Sequence, residues 1–452
     1  MSLTAGVAPR RHWIVPLAIF GLALGLRLLP ALALDSVTLY SDSGEYDRIA
    51  RHILRFGDYS PTAYRPPLYP YFLAAVMVLA EASNRAVLLA QALLGALTAL
   101  LTYGIGLRAS RTVAAWAGAA VATYPTLVIY TALLMSENLY VPLLLGVVLA
   151  LQQIERRGGI AWSAVAGALG ALAALTRSAA LMLAPAGALL MGPRGLKPRL
   201  ARALIAAAMT VVLIAPWTYR NIRFFGSFIP IDTNAGFNLM VGNNPRATGQ
   251  LRLDILRDLA REHLEGKSEL ERHGAGVRVA RDFVLGHPLQ FLGLIPRKLG
   301  YLFGLEGREL LWAYSHTYFG AARPWVLRLC LIGVLAGFPL LFLSALLGFT
   351  LRPDRVIGLV VLYTAAVHAV SFGESRFHLP LVPLLAVLGA SGWLRIAREG
   401  WPAWRGVPGA RRGAALLIGV AAAAHWILEL AGYWPRLQTL LAAGGHRAAF
   451  PY

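Results

Sequence analysis

The sequence predicts an all-α polytopic membrane protein, and three observations carry that expectation. Of the 452 residues, 57% are hydrophobic and only 14% charged, where a soluble chain carries about 25% charged residues. The mean hydropathy is +0.59. Apolar runs of about 20 residues, the length a helix needs to cross a bilayer, recur along the chain. These features exclude a soluble enzyme, a disordered scaffold and a nucleic-acid-binding domain. The net charge of 42 − 22 = +20 would suit nucleic acid in a soluble context, but here Lys and Arg sit at the ends of apolar runs, where they set membrane orientation. The single cysteine, Cys330, lies in an apolar run, so no disulfide framework or cysteine metal site is expected.

Taken in order, Arg10 and Arg11 precede an apolar run from Trp13 to Pro30. Ala31-Leu32-Ala33 looks like a signal-peptidase site, yet the many later runs need a start orientation and favour an uncleaved helix at 12–34, within a first segment 1–34. Residues 35–66 then form a first outer loop. A membrane core at 67–216 holds runs at 86–107, 112–130, 133–152, 160–176, 178–193 and 200–216. A long outer loop follows at 217–322. Runs at 324–350, 356–372, 377–396 and 413–431 make a C-terminal membrane segment 323–431, with 432–452 as a short outer tail. The run Leu68 to Ala80 is too short to cross and reads as a helix entering from the outer face, which leaves about 11–13 membrane helices in all.

Basic clusters at Arg108/Arg111, Arg156/Arg157, Arg194/Lys197/Arg199/Arg202, Arg352/Arg355 and Arg395 to Arg412 all fall on one side of this topology. Placing them in the cytoplasm gives a bacterial inner-membrane protein with a cytoplasmic N-terminus and with 35–66 and 217–322 facing the periplasm. Those outer segments carry amphipathic helices. In 43–56, Tyr46, Ile49, Ala50, Ile53 and Leu54 recur at helical spacing, opposite Asp47, Arg48, Arg51 and Arg55, and Gly57 can end the helix. Similar stretches lie at 251–265 and 275–285. Such helices lie in the interface plane.

Four outer motifs hold the candidate chemistry. In Asp42-Ser-Gly-Glu-Tyr46, two carboxylates one turn apart can serve as general base and partner, and equally as a capping box at a helix start. In Tyr64-Arg-Pro-Pro-Leu-Tyr-Pro70, the prolines hold the backbone extended behind Arg65, which can grip a phosphate or simply anchor at the interface. Pro216-Trp-Thr-Tyr-Arg-Asn221 opens the long loop, followed by Asn234 to Asn238 and by Gly242-Asn-Asn-Pro245, whose amides suit carbohydrate as well as turns. Gly373-Glu-Ser-Arg-Phe-His-Leu-Pro380 carries Glu374 and His378 four apart on one helix face, a pair that does not by itself make a metal site, and Arg376, best used on a lipid phosphate with a local ion pair to Glu374 as the alternative. Glu137 and Arg177 are charges at the ends of spans, where cost argues for function and a cap is the alternative. No phosphate-binding loop, dinucleotide fingerprint or zinc motif occurs. Asp42, Glu45, Arg65, Glu137, Arg177, Arg220 and Arg376 all converge on the outer side.

These segments, in this order, resemble the polyprenyl-phosphate-dependent GT-C glycosyltransferases, above all the bacterial relatives of dolichyl-phosphate-mannose protein mannosyltransferases and of lipid A aminoarabinose transferases. The matching pieces are the Asp42, Tyr64 and Pro216 motifs, Ser136-Glu-Asn138, Gly242-Asn-Asn-Pro245 and Glu374-Ser-Arg-Phe-His-Leu-Pro380, spread over about residues 12 to 396. The resemblance implies a GT-C-type helix bundle with a cavity at its outer face. It implies Asp42 as the carboxylate that activates the acceptor and Arg65 near the lipid phosphate. Two departures stand out. Ser43 follows Asp42 where many relatives have a second acid, Glu45 coming later, and the large soluble C-terminal domain of some relatives is not expected here.

The expected reaction transfers a sugar from a polyprenyl-phosphate donor to a lipid, glycan or protein acceptor, with inversion. Asp42 and Glu45 are the catalytic pair. Arg65, Arg376, Arg220 and Arg177 bind the lipid phosphate. Tyr46, Tyr64, Glu137, Asn243, Asn244, Glu374 and His378 bind sugar or acceptor. With guanidinium groups on the leaving group, no divalent metal is required. The rival readings are a flippase or secondary transporter, for which the sequence shows no internal repeat, and a polysaccharide polymerase or ligase of another membrane class.

Overall fold

The computed structural model describes residues 13–33, 42–193, 195–307 and 324–442, and among these the chain is helix and turn without strand. The parts of the expected N-terminus, first loop, long loop and tail at 1–12, 34–41, 308–323 and 443–452 lie outside the described residues. Among the described residues, seven helices are long and apolar enough to cross a membrane: Ile14–Leu32, Asn84–Gly106, Glu137–Arg157, Leu196–Phe225, Arg328–Leu351, Ser375–Glu399 and Gly409–Leu441. The chain is an all-α polytopic membrane protein.

Among the shorter apolar segments, two show local chemistry overriding a simple apolar run. The expected span 112–130 is two helices, Arg111–Thr123 and Pro125–Tyr130, because Pro125 lacks an N–H and pushes Tyr124 into extended backbone. The expected span 178–193 is a 3-10 turn, Ser178–Ala180, followed by a short helix, Leu183–Leu190. Ile160–Thr176 forms with the expected bounds. Leu68–Leu79 has 12 residues and rises about 18 Å, short of the about 30 Å of a hydrocarbon core.

Two expected boundaries move. The helix expected to stop at Pro216 runs on through it to Phe225 and ends at Gly226 in left-handed backbone, so Trp217 to Asn221 belong to a helix and not to a loop. The last helix, expected over 413–431, covers Gly409–Leu441 and takes in part of the expected tail. Between them, 234–302 forms four helices: Asn234–Gly242, Leu253–His263, Glu269–Gly286 and Pro288–Leu302.

The bundle is polar at its two ends for different reasons. Glu137–Arg157 is its most enclosed long span, and its 21 residues carry Glu137 and Arg157 about 30 Å apart. At the Arg157 end, the Arg202 guanidinium donates to the carbonyls of Met191 and Pro193, at 3.2 and 3.3 Å, and Arg395 to that of Leu351 at 2.9 Å. Arg108 pairs with Glu155 and stands 3.8 Å from Asp354. Arg202 and Arg395 close helix ends whose last carbonyls have no partner within the helix. The outer shell of the bundle is apolar: Leu416, Leu417, Val420, Ile427 and Leu428 are all exposed, as lipid-facing positions are.

Candidate active site

At the Glu137 end, the Asp42–Phe56 helix buries Tyr46, Ile49 and Ala50 and exposes Arg48, Arg51 and Arg55; Asp47, expected on the polar face, is buried and accepts from Arg51 at 2.8 Å. It ends at Gly57, whose φ of +76° suits glycine. Its buried face packs on Tyr69, Leu73 and Met77 of Leu68–Leu79, fixing the first turn over a cavity of ≈ 780 Å³.

Asp42 lines that cavity, and its oxygens face two guanidinium groups. Arg65 donates to Oδ1 at 2.6 Å and Arg376 to Oδ2 at 2.8 Å. Arg65 also donates from Nε to Glu45 at 2.7 Å, so one arginine joins both carboxylates of the first motif. Burial alone would raise the Asp42 carboxyl. The charges and hydrogen bonds of Arg65 and Arg376 outweigh it and hold the group well below the usual carboxylate range. Asp42 opens its helix as a capping residue would, but its side chain is committed to the arginines.

Arg65 is held from behind. The Tyr59 hydroxyl donates to its carbonyl at 3.1 Å, and the Tyr64 ring lies 5.1 Å from its guanidinium. The Arg220 guanidinium donates to the carbonyls of Ser60 and Thr62 at 2.9 and 3.0 Å. Glu269 accepts from the Thr62 hydroxyl, the Ala63 N–H and the Thr233 hydroxyl, all within 2.8 Å. Arg220 and Glu269 thus set the backbone that aims Arg65. Neither lines the cavity.

Arg376 sits at the start of the 3-10 helix Ser375–Leu381, and Glu374 is 3.8 Å away. The segment before it is pressed against the helices of 234–302. A Cβ on Gly373 would stand 1.9 Å from the Lys298 carbonyl, and one on Gly242 would stand 1.7 Å from that of Ser371, so both positions admit only glycine. Here lies the role of Gly242-Asn-Asn-Pro245. The Asn243 amide donates to the carbonyls of Leu239 and Val370, both at 2.8 Å, and its oxygen accepts from the Lys298 ammonium at 2.8 Å. The Asn244 amide donates to Met240 and Val241. Both asparagines are buried and spent on backbone, outside the cavity lining. The geometry gives them support of the Arg376 segment in place of the expected sugar contact.

The other expected residues divide in the same way. Arg177 lines the cavity and pairs with Glu137 at 2.5 Å, and Tyr46 and Phe377 line it too. Glu137 is buried behind Arg177. His378 does not share a face with Glu374: it is fully buried, stacked 3.5 Å from Phe338, with Nδ1 facing the Leu302 carbonyl and Nε2 the Glu306 carboxylate. A 3-10 turn places residues four apart on different sides, which is why the helical spacing misleads. Glu45, expected as the second catalytic acid, is spent on Arg65 and lies outside the lining with Tyr64, Glu137, Arg220, Asn243, Asn244, Glu374 and His378, while Asp42, Tyr46, Arg65, Arg177 and Arg376 are in it.

The structure adds lining residues that the sequence did not single out, chiefly Asp232, Ser178 and His273. Burial raises the Asp232 carboxyl above its ordinary value, against the opposing pull of the Ser178 hydroxyl, the N–H groups of Asn234 and Ala235, and Arg65. Among the described residues, no three His, Cys, Asp or Glu side chains gather as a ligand set for a metal.

Residues 64–219, roughly a third of the chain, match the family model described as dolichyl-phosphate-mannose-protein mannosyltransferase. That stretch begins at the Tyr64 motif and ends in the Pro216 motif. No curated protein sequence matches the chain. Among solved structures, the oligosaccharyltransferase of Archaeoglobus fulgidus, in complex with Zn and sulfate, is similar at 16% identity, with a TM-score of 0.51 over 97% of this chain and 54% of that one. The chain spans about half the length of that protein. ArnT from Cupriavidus metallidurans bound to undecaprenyl phosphate aligns at 15% identity over 86% of this chain and 79% of that one, with a TM-score of 0.41. Over residues 64–219 the chain is thus similar to that mannosyltransferase family, and along nearly its whole length it shares the fold of the oligosaccharyltransferase.

Proposed function

We propose that this protein transfers a sugar from a polyprenyl-phosphate donor to an acceptor at the periplasmic face of a bacterial inner membrane, with inversion and with Asp42 as the base. One observation carries the reading: a single carboxylate is held between two guanidinium groups in a cavity whose ≈ 780 Å³ suits a small ligand. Arg65 and Arg376 are a phosphate site that Asp42 occupies in its resting arrangement.

Donor binding then changes the base. As the donor phosphate takes the guanidinium groups, the charges that depress Asp42 are drawn away and a new anion arrives beside it, so its affinity for a proton rises. Asp42 removes the proton from an acceptor hydroxyl or amine as that atom bonds to the anomeric carbon. The bond from that carbon to the phosphate oxygen breaks on the opposite face, and its electron pair stays on the phosphate. Arg65 and Arg376, joined by Arg177, bind the leaving charge more tightly than the ground state, the condition for acceleration. In this reading the guanidinium groups supply the charge neutralisation and no resident metal is needed. The rate should be unchanged after exhaustive chelation.

The test is direct. Purified full-length protein, reconstituted with polyprenyl-phosphate-linked hexose or pentose and a set of lipid, glycan and peptide acceptors, should release polyprenyl phosphate. Transport of the intact lipid-linked sugar across the bilayer, without cleavage, would overturn the proposal.

A further inference from the structure

Part of the cavity lining is left over by this mechanism. Asp232 precedes the Asn234–Gly242 helix and is only 8% exposed. One of its oxygens accepts the Asn234 N–H at 3.0 Å; the other, Oδ2, is buried and has no hydrogen-bond partner among the described residues. The Asn234 side-chain oxygen, in the same lining, is also buried without one. Buried acceptors are costly to leave unmade, so two of them in a cavity mark where a hydrogen-bond-donating ligand fits. Ser178 stands beside the carboxyl and favours its ionised form.

The position of this pair narrows the ligand. Arg65 acts electrostatically on Asp232 as well as on Asp42. The backbone ties them too, since the Thr233 N–H donates to the Ala63 carbonyl at 3.0 Å, two residues before Arg65. A ligand that fits both sites has an anion at Arg65 and hydrogen-bond donors close behind it. A sugar esterified to phosphate has that layout, because its ring hydroxyls or amino group adjoin the anomeric carbon. We propose that Asp232 and Asn234 form the subsite for the donor sugar ring, accepting hydrogen bonds from its hydroxyl or amino groups while Arg65 holds the phosphate. The inference rests on the transferase reading above and assigns discrimination among sugars to Asp232 and Asn234.

Equilibrium binding to the full-length protein in lipid nanodiscs tests it. The probes are undecaprenyl methyl phosphate, a sugar-free diester, and undecaprenyl-phosphate-linked hexose, pentose and amino-pentose of equal phosphate charge. The wild type should bind at least one sugar-bearing probe more tightly than the methyl ester. Asp232→Asn should lose roughly tenfold on that probe, the worth of one hydrogen bond to a charged group, and nothing on the methyl ester. Asn234→Ala should lose less in the same pattern, and it serves should Asp232→Asn melt at a lower temperature. A loss shared by hydroxyl-only sugars identifies hydroxyls as the groups held, and one confined to the amino-pentose identifies the ammonium. Equal losses on all probes, no loss on any, or a wild type that gains nothing from a sugar would overturn the inference. Arg65→Ala separates the two levels. If it leaves every probe unaffected, the phosphate site and the transferase reading fall; if it weakens all of them while the Asp232 and Asn234 variants are silent, only the sugar subsite falls.

Discussion

Arginine does different work at the two ends of this bundle. At the Arg157 end, Arg202 and Arg395 reach back to carbonyls of Met191, Pro193 and Leu351, each near its own helix or the neighbouring one. At the Glu137 end, Arg65 and Arg376 come from segments 311 positions apart (376 − 65) and meet on one carboxylate over a cavity. The first arrangement finishes helices. The second holds charge where a ligand can displace it. Arginine content alone, which sets membrane orientation, does not separate the two uses, nor does the kind of partner, since Arg108 pairs with Glu155 at the first end and Arg220 donates to carbonyls at the second; what separates them is a shared carboxylate that lines a cavity.

The largest effect expected from this contrast is at Asp42. Asp42→Asn should lower transfer by about 10²–10⁴-fold, the usual contribution of a general base. Binding of bare polyprenyl phosphate should hold or tighten, because the phosphate no longer competes with an internal carboxylate. Weaker phosphate binding in this variant would show that the arginines are not shared. Next, Arg65→Ala and Arg376→Ala should each cost about 10²–10³ in rate, as loss of one donor to a developing anion does. Arg202→Ala at the opposite end should leave the rate within about threefold and lower stability by about 1–3 kcal/mol, which thermal melting in detergent would report. Comparable rate losses at both ends would erase the distinction.

A smaller effect is expected at Arg220, which aims Arg65 without touching the cavity. Arg220→Ala should slow transfer by about tenfold through misplacement, and Arg220→Lys should recover part of it if the two carbonyl contacts matter more than the ring stacking. The smallest sits at Lys298, buried against Asn243 and the Ala369 carbonyl, where burial pushes the ammonium down to about 8. An unfolded lysine titrates near about 10.4, so between these values the unfolded chain holds more protons and stability rises with pH. Melting of the wild type relative to Lys298→Met should therefore improve from pH 8 towards about 10. A constant difference would mean that the buried ammonium carries no strain.

What the sequence made legible follows from length scale. Apolar runs and the amphipathic Asp42–Phe56 helix are local patterns, and most formed helices near the expected bounds; Pro125 broke one run, Pro216 failed to end another, 178–193 gave only a turn and a short helix, and the last helix ran past both expected ends. Asp42, Arg65, Arg177 and Arg376 could be singled out because they flank spans on the side opposite the basic clusters. Asp232 and Glu269 could not. They lie among many polar residues in 217–322, and their meaning comes from Thr62 and Ala63, about 200 positions away from Glu269. Asn243 and Asn244 show the opposite limit: amides that close a turn and amides that hold a sugar are the same residue, and only the carbonyls of Leu239, Val370, Met240 and Val241 tell them apart.

The bridge from Asp42 to two arginines has a consequence for turnover. An enzyme working as proposed ends its chemical step with Asp42 carrying the acceptor's proton and the guanidinium groups on a spent lipid carrier. A neutral carboxyl cannot win those groups back. Once the proton escapes to water, the restored anion competes for both arginines and ejects the carrier, so discharge of the proton and clearance of the site become one event, and each cycle closes by re-forming the lock with which it began.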